Sequence, residues 1–273
     1  MAYAIELFAR EPIVVDRERL LAAMRNRFGN VDSPEPKAEG ATQMFLLNDY
    51  IAHHADGSIP AQLVLLPANG GADPDKYTEA LQQSWSFRNA GDVLQTCAHS
   101  CLFSDMMSAT LPQEQRRRIL AEGLQAVLEC VKIDAIYFVE SQQFVSPAHL
   151  VAELNTPQQR TNPTAGFLNV RFFNVSNNPG EMLMDTLGLA PFGLTDLQLH
   201  FRGLEPNEAA RILHTTGSYI FERGDVIESG HTIQGRVPDD HWPCRQEESL
   251  LEPKRAVLDI DPGTPYAAGR RAA

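Results

Sequence analysis

The sequence contains no uninterrupted apolar run approaching the roughly 18 residues that a membrane-spanning helix requires, so a helical membrane anchor is excluded. Its first residues, M-A-Y-A-I-E-L-F-A-R-E, lack a basic stretch leading into an apolar run. A secretory leader is thereby excluded from them, and the expectation is a cytoplasmic protein. Cysteine is scarce. Four in 273 residues are too few for a disulfide scaffold, and in that compartment they are expected as free thiols. Positive charge is also short, with 23 Lys and Arg against 35 Asp and Glu and a formal charge of -12. Such a surface repels phosphate backbones and anionic lipid, which argues against nucleic acid or a membrane as a direct partner. It suits solubility, and it also suits a basic protein partner. Missing as well are the G-x-S-x-G elbow, the G-x-x-x-x-G-K-[ST] and G-x-G-x-x-G phosphate loops and the C-x-x-C redox pair, so those chemistries have no local signature here.

What is present is ordinary globular composition, 43% hydrophobic and 21% charged, in a chain long enough for two compact units. Short alternating or apolar runs read as strands at 4–9 (A-I-E-L-F-A), 61–66 (A-Q-L-V-L-L), 135–139 (A-I-Y-F-V), 170–175 (V-R-F-F-N-V) and 197–201 (L-Q-L-H-F). Polar residues followed by proline mark helix starts near Asp73, Thr110, Ser146 and Glu205, because first-turn amides have no intrahelical acceptor to lose. The strongest helix covers residues 112–131, with Ile119, Leu120, Leu124, Val127 and Leu128 at helical spacing and Arg116, Arg117 and Arg118 read as a solvated face. Strands and helices do not alternate regularly enough for a doubly wound sheet. The expected fold is therefore α+β, with largely antiparallel sheets flanked by helices. A strand, proline-containing link and amphipathic helix occur near residue 5 and again near residue 200, which points to two related halves. The expected division is 1–154 and 168–262, with a hinge in the proline-containing stretch 155–166, a second flexible stretch at 32–40 and a flexible tail from 263 to 273.

Two clusters carry soft metal ligands. In T-C-A-H-S-C, Cys97, His99 and Cys101 fall within five residues. On a helix the two cysteines would share a face without the histidine; on a strand all three would share one but spread by about 6.6 Å per pair of residues. At most two ligands can come from there, and buried small thiols beside a hydrogen-bonded histidine are the preferred reading. In H-T-I-Q-G-R-V-P-D-D-H-W-P-C, His231, His241 and Cys244 are the counterparts, at a spacing that matches no zinc signature. The same stretch places Asp239, Asp240, His241 and Trp242 between prolines, where a loop would present them to a binding partner. His53 and His54 precede a turn and read as a hairpin edge; Asp185 in M-D-T-L-G-L is either a local cap or a general base.

The segments D-T-L-G-L-A-P-F-G-L-T-D-L-Q-L-H-F from Asp185, Y-I-F-E-R-G-D-V-I-E-S-G-H-T-I-Q-G from Tyr219, W-P-C-R at Trp242 and P-K-R-A-V-L-D-I from Pro253 together resemble the bacterial domain-of-unknown-function family 4261. The likeness is best over residues 185–261 and looser at Q-S-W from Gln83 and in the A-I-Y-F-V strand. These are packing and turn motifs, so no catalytic residue is carried over. The resemblance implies a cytoplasmic bacterial protein of the kind found near secreted toxin systems, where acidic immunity proteins neutralise a cognate toxin. The expectation is accordingly a binding protein without a cofactor, contacting a protein partner such as a basic toxin through Asp239, Asp240, His241 and Trp242. The alternative is a metal-dependent enzyme with His231, His241 and Cys244 as ligands and Asp239 or Asp185 as base. A dimerisation module pairing through F-L-N-V-R-F-F is a third expectation.

Overall fold

The computed structural model describes residues 2–35, 42–68, 70–154 and 164–269. Of the stretches expected to be flexible, 36–40, 155–163 and 270–273 lie outside the described residues. The chain folds as two compact units, Met1–Gly166 and Phe167–Ala273.

In the first unit the alternation of A-I-E-L-F-A makes β1 (Ala4–Ala9), whose neighbours occupy both sides of it. The chain continues through α1 (Arg17–Phe28), β2 (Val31–Asp32), β3 (Gln43–His54), β4 (Gly57–Ala68), the short helices α2 (Thr78–Gln82) and α3 (Ala90–Leu94), and β5 (His99–Met106). It ends with α4 (Gln113–Cys130), β6 (Ala135–Phe138), β7 (Gln143–Val145) and α5 (Pro147–Leu154). The strands form one antiparallel sheet in the order β2-β3-β4-β5-β1-β6-β7. The Asp16 side chain caps α1 by accepting from the Arg19 amide at 3.0 Å. Helix α4 lies so close to the sheet that a Cβ on Gly123 would stand 2.5 Å from Leu63 and 3.0 Å from Phe103. On the opposite side Phe8, Ala80, Phe87, Ala90, Leu94, Ala135 and Phe144 form a second apolar layer.

The arginine triplet of α4 does not form a solvated face. Arg116 is 3% exposed and reaches Asp105 through Nε at 2.7 Å and Nη2 at 3.2 Å. Asp105 also accepts from the Tyr3 amide and from the Ser108 hydroxyl. The reason is periodicity: residue 116 stands three and four positions before Ile119 and Leu120 and shares their sheet-facing stripe. Only Arg118 follows the expectation, pairing with Glu122 one turn on at an exposed site.

The second unit contains β8 (Asn169–Asn174), β9 (Glu181–Leu187), β10 (Asp196–Arg202), α6 (Pro206–Arg223), β11 (Thr232–Gln234), β12 (His241–Glu248) and β13 (Ala256–Ile260). Its sheet runs β11-β12-β13-β10-β9-β8 and is antiparallel except where β13 lies parallel to β10. A parallel neighbour needs a crossover, and α6 supplies it by packing on β8, β9 and β10. Its buried residues Ala209, Ile212, Leu213, Gly217, Ile220 and Phe221 follow helical spacing, with Gly217 admitting the Leu168 side chain. The F-L-N-V-R-F-F segment does place β8 at a sheet edge, although Phe167, Leu168, Asn169 and Arg171 are buried.

Both units contain the strand–link–helix element read from the sequence, β1 with α1 and β10 with α6. They differ in the strand that returns beside it, which is antiparallel in the first unit and parallel in the second. Together the helices and the two largely antiparallel sheets make an α+β fold. Residues 263–269, expected within a flexible tail, pack along β10 instead: Ala267 bridges Phe201, and the Arg202 amide donates to the Tyr266 carbonyl at 2.9 Å. The Gly263 turn, closed by the Tyr266 amide on the Gly263 carbonyl at 2.7 Å, directs the chain there.

Because Arg116 and Asp105 are desolvated together, Asp105→Ala is expected to lower the stability of the first unit by about 3 to 5 kcal/mol in urea unfolding. The apolar pair Asp105→Leu with Arg116→Met should recover most of that loss. A single alanine variant as stable as the parent would mean that the pair is solvated.

Candidate functional site

The T-C-A-H-S-C stretch resolves into packing. Cys97 precedes β5, donates its thiol to the Val93 carbonyl at 3.3 Å and joins the layer containing Phe8. Cys101 stands opposite Leu7, whose side chain takes the other sheet face from Phe8, so the two thiols are on opposite sides of the sheet. Burial pushes the Cys101 thiol up to about 12. His99 is half-buried at the start of β5.

The second cluster is a hairpin. Thr232, Ile233 and Gln234 of β11 stand opposite Pro243, Trp242 and His241 of β12. Strand alternation sends His241 outward and Cys244 inward, three residues apart and therefore on opposite faces. His231 lies just before β11, its Nδ1 accepting from the Glu228 amide at 3.2 Å. His231, His241 and Cys244 consequently do not converge, and among the described residues no group of three His, Cys, Asp or Glu is placed to hold a metal ion. The Cys244 thiol is pushed up to about 11 by burial.

The expected presentation of Trp242 to a partner is corrected by the same alternation. The proline-flanked stretch turns through 238–240 and enters β12 at His241, and Trp242 is 1% exposed, with Gly235 so close that a Cβ there would meet the indole at 2.5 Å. Asp240 is a turn residue: its carboxylate accepts from the Arg236 amide at 3.1 Å and its carbonyl from the Gly235 amide at 2.7 Å. Of the four, Asp239 and His241 are left exposed. His53 and His54 do sit at a hairpin end, with His53 Nδ1 2.8 Å from the Ser58 hydroxyl.

Asp185 is neither a local cap nor an available base. It is fully buried, receiving Arg171 through Nε at 2.9 Å and Nη2 at 2.6 Å, and Arg255 through Nη2 at 2.8 Å. Arg255 also reaches Asp196 at 3.1 Å and the Thr186 carbonyl at 2.6 Å. Asp196 accepts from the Thr186 hydroxyl and the Leu189 amide. Burial pushes the Asp196 carboxyl above its ordinary value, and Arg255 opposes that rise.

Beside this locked network the second unit carries an open groove of about 880 Å3. One wall is α6, with Arg211, Thr215 and Tyr219 on an exposed row at i, i+4 and i+8 above buried Ile212. The other runs from Val226 to Gly235 and includes His231 and all of β11. Arg236 ties the hairpin to α6 through Glu208 at 2.9 Å. Of the residues singled out in the sequence, His231 alone lines this groove; the α6 row carries no motif, although its four-residue spacing is visible in R-I-L-H-T-T-G-S-Y. What the arrangement can do chemically is donate hydrogen bonds from a guanidinium, hydroxyls, an imidazole and an amide along an apolar floor of Ile212 and Ile233.

Thiol labelling checks this placement. With three thiols in the core and Cys101 and Cys244 raised by burial, iodoacetamide at pH 8 should modify Cys130 and leave Cys97, Cys101 and Cys244 unmodified until the chain is denatured. Native labelling of Cys244 would show that β12 is not packed as described.

No curated protein and no solved structure matches the chain. Residues 185–261, which hold Asp185, α6, both walls of the groove and Arg255, match the family model described as a domain of unknown function (DUF4261).

Proposed function

We propose that this chain is a non-catalytic binding protein that works by direct contact with a protein partner, with neutralisation of a secreted toxin in the bacterial cytoplasm as its biological form. The observation that supports the reading is the α6–β11 groove, flanked by Tyr219 and Val226 at 48% and 46% exposure. Exposed aromatic and aliphatic groups beside fixed hydrogen-bonding side chains are the ingredients of an interface anchor. The net charge of -12 favours encounter with a basic partner over the acidic remainder of the surface. The groove itself has no carboxylate in its lining. The metal-dependent alternative has no comparable support, since its three ligands face apart and Asp185 is engaged by two arginines.

The test is photo-crosslinking in cells of the source bacterium, with a benzophenone amino acid at Tyr219 and, as control, at Asn177 in the exposed β8–β9 turn. The expected result is one discrete protein adduct from position 219 and none from 177. Equal, diffuse adducts from both positions would overturn the reading.

A further inference from the structure

Two of the three residues of β11 leave their backbone groups without a partner among the described residues. The Cys244 amide donates to the His231 carbonyl at 2.8 Å, and the Gly235 amide donates to the Asp240 carbonyl at 2.7 Å. The hydrogen-bonded positions of β11 are thus the odd ones, and Thr232 and Gln234, opposite Pro243 and His241, turn their N–H and C=O groups away from β12. β11 is the last strand in the sheet order. Those four backbone groups have no partner among the described residues, and both residues line the groove. An exposed row of unpaired amides and carbonyls is a template for another strand.

The groove also has a chemical bias. The chain has 35 Asp and Glu, yet the lining consists of Arg211, His231, Gln234, three threonines, Tyr219 and apolar residues, with no carboxylate. Arg211 makes no ion pair among the described residues. His231 accepts at Nδ1 from the Glu228 amide, so its neutral ring carries the proton on Nε2 and acts as a donor. The hydroxyls and the Gln234 amide serve either role, so the bias toward acceptors comes from Arg211 and His231.

Resting on the protein-contact reading above, we propose that the groove receives an extended acidic segment of the partner as an added strand on β11. Main-chain hydrogen bonds to Thr232 and Gln234 hold it, and an Asp or Glu side chain lies against Arg211 and His231. The strand itself, Thr232–Gln234, spans about 10 Å of extended chain, enough to pair with about three residues of ligand.

The probe is a phage-displayed library of random heptapeptides, panned on the full chain, with the selected peptide then titrated against two variants. Gln234→Pro removes one outward amide and no bond to β12, and buried Trp242 fluorescence reports whether the hairpin is intact. Arg211→Glu lies on an exposed helix position and needs no backbone change. The expected result is a consensus alternating β-branched residues with at least one Asp or Glu, binding about tenfold more weakly to each variant. Arg211→Glu should also shift selection toward Lys or Arg. A basic consensus, no enrichment, or affinity unchanged in both variants would overturn strand addition. If peptides fail while the Tyr219 adduct persists, strand addition falls and the protein-contact reading stands. If peptides bind as expected and no adduct forms, the strand-accepting groove stands and that reading falls.

Discussion

The second unit depends on one buried carboxylate held by two guanidiniums. Asp185 on β9 takes both arms of Arg171 from β8 and one of Arg255 from the entry to β13, and Arg255 carries the link on to Asp196 of β10. Removing four charges from water costs several kcal/mol per ion, and the cost is offset only when nearly every donor is satisfied. The surplus donors are met: Arg171 reaches the Glu252 carbonyl at 2.8 Å, and Arg255 the Pro253 carbonyl at 2.9 Å. Three strands of the sheet, β8, β9 and β10, and the 252–255 segment leading into β13 are thereby fixed to one another. The β11–β12 hairpin lies beyond them and is tied to α6 by Arg236 and Glu208. A groove between two such walls keeps its shape while it is empty, which lowers the ordering cost of filling it.

How much of this is legible in the sequence depends on the range of the interaction. Local alternation places β1, β6, β8 and β10, and proline with polar flanks places the start of α5 and α6, because those signals are carried by adjacent residues. Arg116 misleads because three consecutive arginines look like a solvated face; testing residue 116 against Ile119, Leu120 and Gly123 puts it inside. Trp242 misleads because prolines at 238 and 243 imitate a loop throughout, while β12 has already begun at His241 and its first four residues alternate in exposure. Asp185 and Arg255 are 70 residues apart, and their contact arises only once β13 lies parallel to β10. No local pattern announces that pairing. The α6 row of Arg211, Thr215 and Tyr219 is available from spacing alone, but the opposite wall exists only because β11 ends the sheet.

The molecule therefore separates charge by role. Three of its buried carboxylates, Asp105, Asp185 and Asp196, are committed to internal arginines, a fourth, Asp259, accepts from the Gln198 amide, and the motifs that most resemble chemistry in the sequence are packing. The α6–β11 groove is the reverse, donor-rich and free of carboxylates beside an unpaired strand edge. On the proposed reading, a net charge of -12 and a groove without carboxylates in its lining would give one protein two kinds of complementarity: long-range attraction for a basic partner and short-range selection of an acidic segment.

The most direct test of the account is amide hydrogen exchange of the free protein, resolved residue by residue across β11 and its neighbours. The account predicts rapid exchange at Thr232 and Gln234, slow exchange at Ile233 between them, and strong protection through β9, β10 and β13. Protection of Thr232 and Gln234 equal to that of Ile233 would mean that the edge is already covered, and would contradict an open strand-accepting groove.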